Sequence, residues 1–187
     1  MKNQIIVSLV AVSAAFITGC GTDAHYVETG GNRNIVSVGQ INIQDYIQAA
    51  DTMTGELLAS GALGRVKNPP AILAISRIVN NTGNQIDTDL LIKKIRVALL
   101  QSGKAVTTTT FGLGGQSEDP LAKQMQQTTH PADFSLSGKI IQLNAGAGDT
   151  KQATYSFQLS LTDTQGLAVW EGEKEITKQG TRGGIGF

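Results

Sequence analysis

The sequence predicts an α+β fold: one small domain with helices packed on a mixed, mostly antiparallel sheet that ends in a three-strand meander. Three observations carry this reading. Tyr155, Phe157, Leu159 and Leu161 alternate with Ser156, Gln158, Ser160 and Thr162, the period of two of a strand with one face in the core. Between Asp87 and Gly103, apolar residues recur at helical spacing, with an acceptor side chain at the start and a glycine at the stop. The predicted order is helix, strand, helix, strand, short helix and then three consecutive strands. Strands grouped in this way belong to an α+β domain rather than to a strictly alternating α/β one.

The chain begins with a targeting segment. Lys2 gives a short positive start, residues 5–17 are mostly apolar, and Ile17-Thr18-Gly19 precede Cys20. This is the charged, apolar and small-residue order of a secretory signal, with a cysteine where a bacterial lipoprotein is cleaved and acylated. Residues 1–19 are therefore read as a lipoprotein signal peptide and Cys20 as the lipidation site, carrying palmitate. The apolar run falls short of the about 20 residues a transmembrane helix needs. The plainer alternative is a buried cysteine in an N-terminal helix. Cys20 is the only cysteine, so no disulfide can form within the chain. Gly21, rather than Asp, follows it; by resemblance to the lipoprotein sorting rule, the protein is lipid-anchored in the outer membrane on its periplasmic side.

Residues 20–43 lack a sustained period and contain Gly30-Gly31, and are read as a lipidated tether of about 23 residues spanning at most about 75 Å. The alternative is an edge strand using Ile35, Val36, Val38, Ile41 and Ile43. The domain is placed at residues 44–179. Its first helix runs from Gln44 to Ser60 on Tyr46, Ile47, Ala50, Met53, Leu57 and Leu58, before Gly61. Pro69-Pro70 breaks the chain, and the nearly continuous apolar run 71–79 reads as a central strand. Residues 80–84 form a turn. The helix Thr88 to Ser102 buries Leu91, Ile92, Ile95, Ala98 and Leu99. A short strand follows at 105–110, then a Gly-rich loop at 111–119, a short helix at 120–127, and a strand at 134–143 closing in a turn at 144–149. Residues 163–166 turn the alternating strand back into 167–178 as a hairpin. Residues 180–187 are read as a flexible tail.

Charge and composition exclude several functions. Removing Lys2 with the signal leaves 14 basic against 15 acidic side chains, too neutral a surface for a nucleic-acid partner, which requires counterion displacement by clustered cations. The histidines are His25, in the tether, and His130, before Pro131 in a loop, so a His-based triad or multi-histidine metal site is not predicted. Gly112-Leu-Gly-Gly115 lacks the Gly-Lys-Ser/Thr of a phosphate loop. Glu118-Asp119 is a paired carboxylate in a loop. Glu171, Glu173 and Glu175 alternate along a strand and read as a solvated edge that discourages pairing. No catalytic residues, metal or cofactor are assigned, and the protein is read as a non-enzyme. The surface offers one candidate. On the helix 88–102, the face opposite the buried stripe carries Lys93, Arg96, Val97 and Leu100, a basic rim beside aliphatic side chains that suits a partner. The alternative is that the preceding helix or the tether covers Val97 and Leu100.

Three segments resemble a known family. Residues 78–104 carry an N-x-T turn, the helix start IDTDLL and the helix end IR-x-ALL-x-SGK; residues 132–140 read ADFSLSGKI; residues 155–171 read YSFQLSLTDTQGLAVWE. Together they are similar to the LpoB family, outer-membrane lipoprotein activators of penicillin-binding proteins. In the third segment the turn glycine, Gly166, arrives one residue early. The tether also lacks a long Pro-rich stretch, and the loop 111–131 is short. The resemblance implies a compact α+β domain on a membrane tether that stimulates a class A penicillin-binding protein, a bifunctional peptidoglycan synthase, and so acts on cell-wall synthesis and cell shape. The competing expectation is a structural lipoprotein of a cell-envelope assembly, such as a secretion or flagellar outer-membrane complex.

Overall fold

Most apolar positions of two helices and five strands are spaced so that they can be buried on one side of a single sheet, while Val79, Val106 and Leu143 stay exposed. In the computed structural model, residues 24–108 and 131–181 are described. Helix α1 spans Ile43–Ala59, strand β1 Ala71–Asn81, helix α2 Thr88–Gln101, β2 Ala105–Thr107, β3 Phe134–Ala147, β4 Thr150–Asp163 and β5 Ala168–Thr181, with a 3-10 turn at Ala62–Arg65. The sheet order is β2-β1-β3-β4-β5. β1 runs parallel to both β2 and β3, whereas β3, β4 and β5 form an antiparallel meander. α2 makes the crossover that a parallel β1–β2 pair requires.

Both helices start and stop where their side chains say they should. The Asn42 backbone N–H donates to Asp45 Oδ2 at 2.7 Å, the returning half of a capping box at the start of α1. Asp87 Oδ1 accepts from the Asp89 amide at 2.9 Å, and Gly103, at φ +68°, turns the chain out of α2. Tyr46, Ala49, Ala50, Met53 and Leu57 of α1 and Leu91, Ile95 and Leu99 of α2 are buried against Leu73, Leu136, Ile140, Tyr155, Phe157 and Leu161. The Tyr46 and Phe157 rings meet edge to face at 6.3 Å. In the β3–β4 register, Leu136 faces Leu161 and Ile140 faces Phe157. Between them Gly138 faces Leu159, and a Cβ there would collide with the Gln158 carbonyl oxygen and lie 2.7 Å from Leu159 Cδ2, so only glycine lets the strands approach.

Several expectations change. The predicted turn at 144–149 is mostly strand: β3 continues to Ala147, pairs it with Thr150 and reverses on Gly148, at φ +56°, and Asp149. Ladder hydrogen bonds carry this small and polar stretch, which has no apolar period to announce it. β4 likewise begins at Thr150 rather than near Tyr155, and β5 runs on to Thr181. Residues 35–42 are irregular, with a turn and bend at 38–40, in place of an edge strand, and Ile43 opens α1. Ile92 and Ala98 are half-buried at the margin of the α2 stripe. The expected end of the 105–110 strand, the Gly-rich loop, the helix at 120–127 and the signal segment with Cys20 lie outside the described residues.

Candidate partner-binding surfaces

The four residues expected on the outer face of α2 are not brought together. Lys93 is exposed, and Val97 and Leu100 remain 39% and 47% exposed beside it. Arg96 instead turns inward and is 8% exposed. Its Nε donates to Thr107 Oγ1 at 3.1 Å and its guanidinium to the Thr108 carbonyl at 3.1 Å, which ties α2 to β2. Burial lowers the pKa of this guanidinium. The sequence held a signal for this inward turn: Arg96 lies four residues after Ile92 and three before Leu99, on the flank of the buried stripe. Among the four, Lys93, Val97 and Leu100 form the surface patch and Arg96 braces its underside.

A second surface, which sequence reasoning described only as an acidic edge, lies on the sheet face away from the helices. Strand alternation sends Ser156, Gln158 and Ser160 of β4 to this side, and the register sets them opposite Glu175, Glu173 and Glu171 of β5. Glu173 accepts from Ser156 Oγ at 2.5 Å and from Gln158 Nε2 at 2.7 Å, and Glu171 accepts from Ser160 Oγ at 3.0 Å. The bonds from Ser156 and Gln158, and then the Lys139 charge, hold the Glu173 carboxyl below the usual carboxylate range. Arg77 and Lys139 stand on the β1 and β3 side of the same face, so the groove between them has a basic and an acidic margin. Its volume is about 650 Å³, and Val79, Ser137, Gly138, Leu159 and Gly172 complete its lining. The matched period of two on both strands was the legible signal. Their register, and hence the hydroxyl held on each carboxylate, was not. Among the described residues no group of three or more His, Cys, Asp or Glu is placed to hold a metal.

The profile of the peptidoglycan-synthase activator LpoB matches residues 45–176. The chain belongs to the LpoB family. The match runs from within α1, which starts at Ile43, to within β5, which ends at Thr181. Among solved structures, the chain is similar to the LpoB C-terminal domain from Salmonella enterica, at 17% identity, covering 71% of this chain and 98% of that one with a TM-score of 0.43. The same domain from Escherichia coli gives 17% identity, the same coverage and a TM-score of 0.42. Lipoprotein GNA1162 from Neisseria meningitidis gives 16% identity over 62% of this chain and 88% of that chain, with a TM-score of 0.43. No curated protein sequence matches the chain. LpoB-family proteins are activators of peptidoglycan synthases, and that general role is the one the family match supports.

Proposed function

We propose that this LpoB-family protein is an outer-membrane lipoprotein, acylated at Cys20, whose periplasmic domain binds and activates a class A penicillin-binding protein. The observation that carries the reading is the family match across 45–176, which runs from the first turn of α1 into β5. The segment order follows the notion of a tethered module: signal peptide at 1–19, lipidated tether from Cys20, then the folded domain and a short tail. An activator of this kind works by binding one conformation of the synthase more tightly than another, since only differential affinity shifts such an equilibrium. Lys93, Val97 and Leu100 are the contact residues we assign, with Arg96 holding the helix that presents them.

The test is the rate of glycan polymerisation by each class A synthase of the same organism, with and without the purified protein. A several-fold rise with one synthase, and a complex with that synthase, are expected. Lys93→Glu combined with Leu100→Ser is expected to weaken the complex while thermal stability stays nearly unchanged, because both side chains are exposed. A set of synthases with no rate change and no complex would remove the activator reading.

A further inference from the structure

Residues 37–42, upstream of α1, are held on the domain by side chains from three separate elements. Three consecutive backbone carbonyls each accept from one of them. Tyr155 of β4 donates its hydroxyl to the Val38 carbonyl at 3.3 Å. Asn84, in the β1–α2 turn, donates from Nδ2 to the Gly39 carbonyl at 2.6 Å. Lys178 of β5 donates from Nζ to the Gln40 carbonyl. Lys178 also reaches Asn42 Oδ1 at 2.9 Å and Asp45 Oδ2 at 2.6 Å, and it sits 4.8 Å from the centre of the Tyr155 ring. Asn42 Oδ1 in turn accepts the Ser37 amide at 3.1 Å. The Val38 side chain lies over Gly180, where an added Cβ would come within 2.9 Å of Val38 Cγ2. Val38 and Ile41 pack against the core, whereas Ile35 and Val36 just upstream are 86% and 60% exposed.

We propose that residues 37–42 are a releasable strap that fixes where the anchor-side chain leaves the domain and sets how far the domain stands from the membrane. The proposal rests on the lipid anchor at Cys20 for its consequence, though not for its geometry. With the strap seated, about 17 residue steps separate Cys20 from Ser37; they include a hydrogen-bonded turn at 28–34 whose Gly30 lies near Ile47, so their reach falls below the about 56 Å of an extended chain, and release of six residues adds at most about 20 Å. The strap suits release because its fastenings are few: side-chain bonds to three carbonyls and to Asn42 Oδ1, and the partly buried side chains of Val38 and Ile41. It forms no ladder with β5, and opening it gives up the Asn42 cap of α1 but no pairing within the sheet. A pull on the tether would therefore act first on these bonds rather than on the core.

The test is residue-resolved amide hydrogen exchange on the full chain in detergent. In the wild type, the Ser37 amide is expected to exchange at least tenfold more slowly than in an unstructured peptide. Tyr155→Phe combined with Asn84→Ala removes two fastenings without charge or volume change in the core, and should speed Ser37 exchange at least tenfold while the Phe157 amide keeps its rate. Gly180→Val should do the same by displacing Val38. Random-coil exchange at Ser37 in the wild type, or no acceleration in either variant, would overturn the strap. None of these readouts depends on acylation or on a synthase, so a failed strap and a failed anchor or activator reading remain distinguishable.

Discussion

The two faces of the β4–β5 ribbon are made from alternate residues of the same strands, yet each handles charge in a different way. On the helix side, Lys178 and Asp45 form an ion pair at 2.6 Å with both side chains 7% exposed. On the open side, Glu173 takes its hydrogen bonds from Ser156 and Gln158 within reach of water. A buried ion is costly unless paired and hydrogen-bonded, and Lys178 is met by a carboxylate, an amide oxygen, a carbonyl and an aromatic face. An exposed carboxylate faces no such cost, so its partners orient it more than they stabilise the fold. The buried face thus sets stability, while the open face is free to vary with a partner.

That contrast can be broken at its strongest point by core truncation. Phe157→Ala is expected to cost about 3–5 kcal/mol, because the ring is fully buried against Tyr46 and Ile140. Ser156→Ala, next in sequence but on the open face, removes a buried hydroxyl whose acceptor, Glu173, is exposed to water, and should cost about 1 kcal/mol or less in urea titrations. Comparable losses at the two sites would mean that the faces are not separated in this way. Lys178→Ala should cost about 3 kcal/mol, since it leaves Asp45 buried without its cation. Glu173→Gln, its open-face counterpart, should leave the melting temperature unchanged.

A smaller effect sharpens the comparison through pH. Burial first, then the Asp87 and Asp45 charges, raise the Tyr46 phenol from 10.0 to about 12. The folded state therefore favours the neutral phenol. This contribution is complete below pH 10 and is lost as pH rises towards 12. Denaturant titrations across that window should show stability falling, and Tyr46→Phe should flatten part of the fall. Tyr155 shifts in the same direction, again through burial first and Asp45 second, so the single variant leaves a residual slope.

The α2 patch and the open groove show how far pattern reading extends. Helical spacing located Lys93, Val97 and Leu100 at the surface, because their exposure follows from angle alone. It missed the role of Arg96, whose direction is decided by Thr107 and Thr108 on a strand that contacts α2 only after folding. Glu171 and Glu173 were legible as an exposed series. Their hydroxyl and amide partners depended on the β4–β5 register, which no local pattern states.

The sequence by itself determined the α+β class, both helices, the Asp87 and Gly103 boundaries of α2, the apolar β1 and the meander. These depend on local periodicity and on capping chemistry within a few residues. It also supplied the motifs on which the family resemblance rested. Tertiary structure decided what bonds across the chain. The parallel placement of β1 beside β3 and the seating of residues 37–42 rest on partners tens of residues away, the inward turn of Arg96 on Thr107 and Thr108 beyond the end of α2, and the extension of β3 to Ala147 on ladder bonds to the start of β4 that no side-chain period marks. Tyr155, Asn84 and Lys178 look unrelated along the chain. They become one fastening only when β4, the β1–α2 turn and β5 bring their donors to three successive carbonyls, because a hydrogen bond depends on distance in space rather than in sequence.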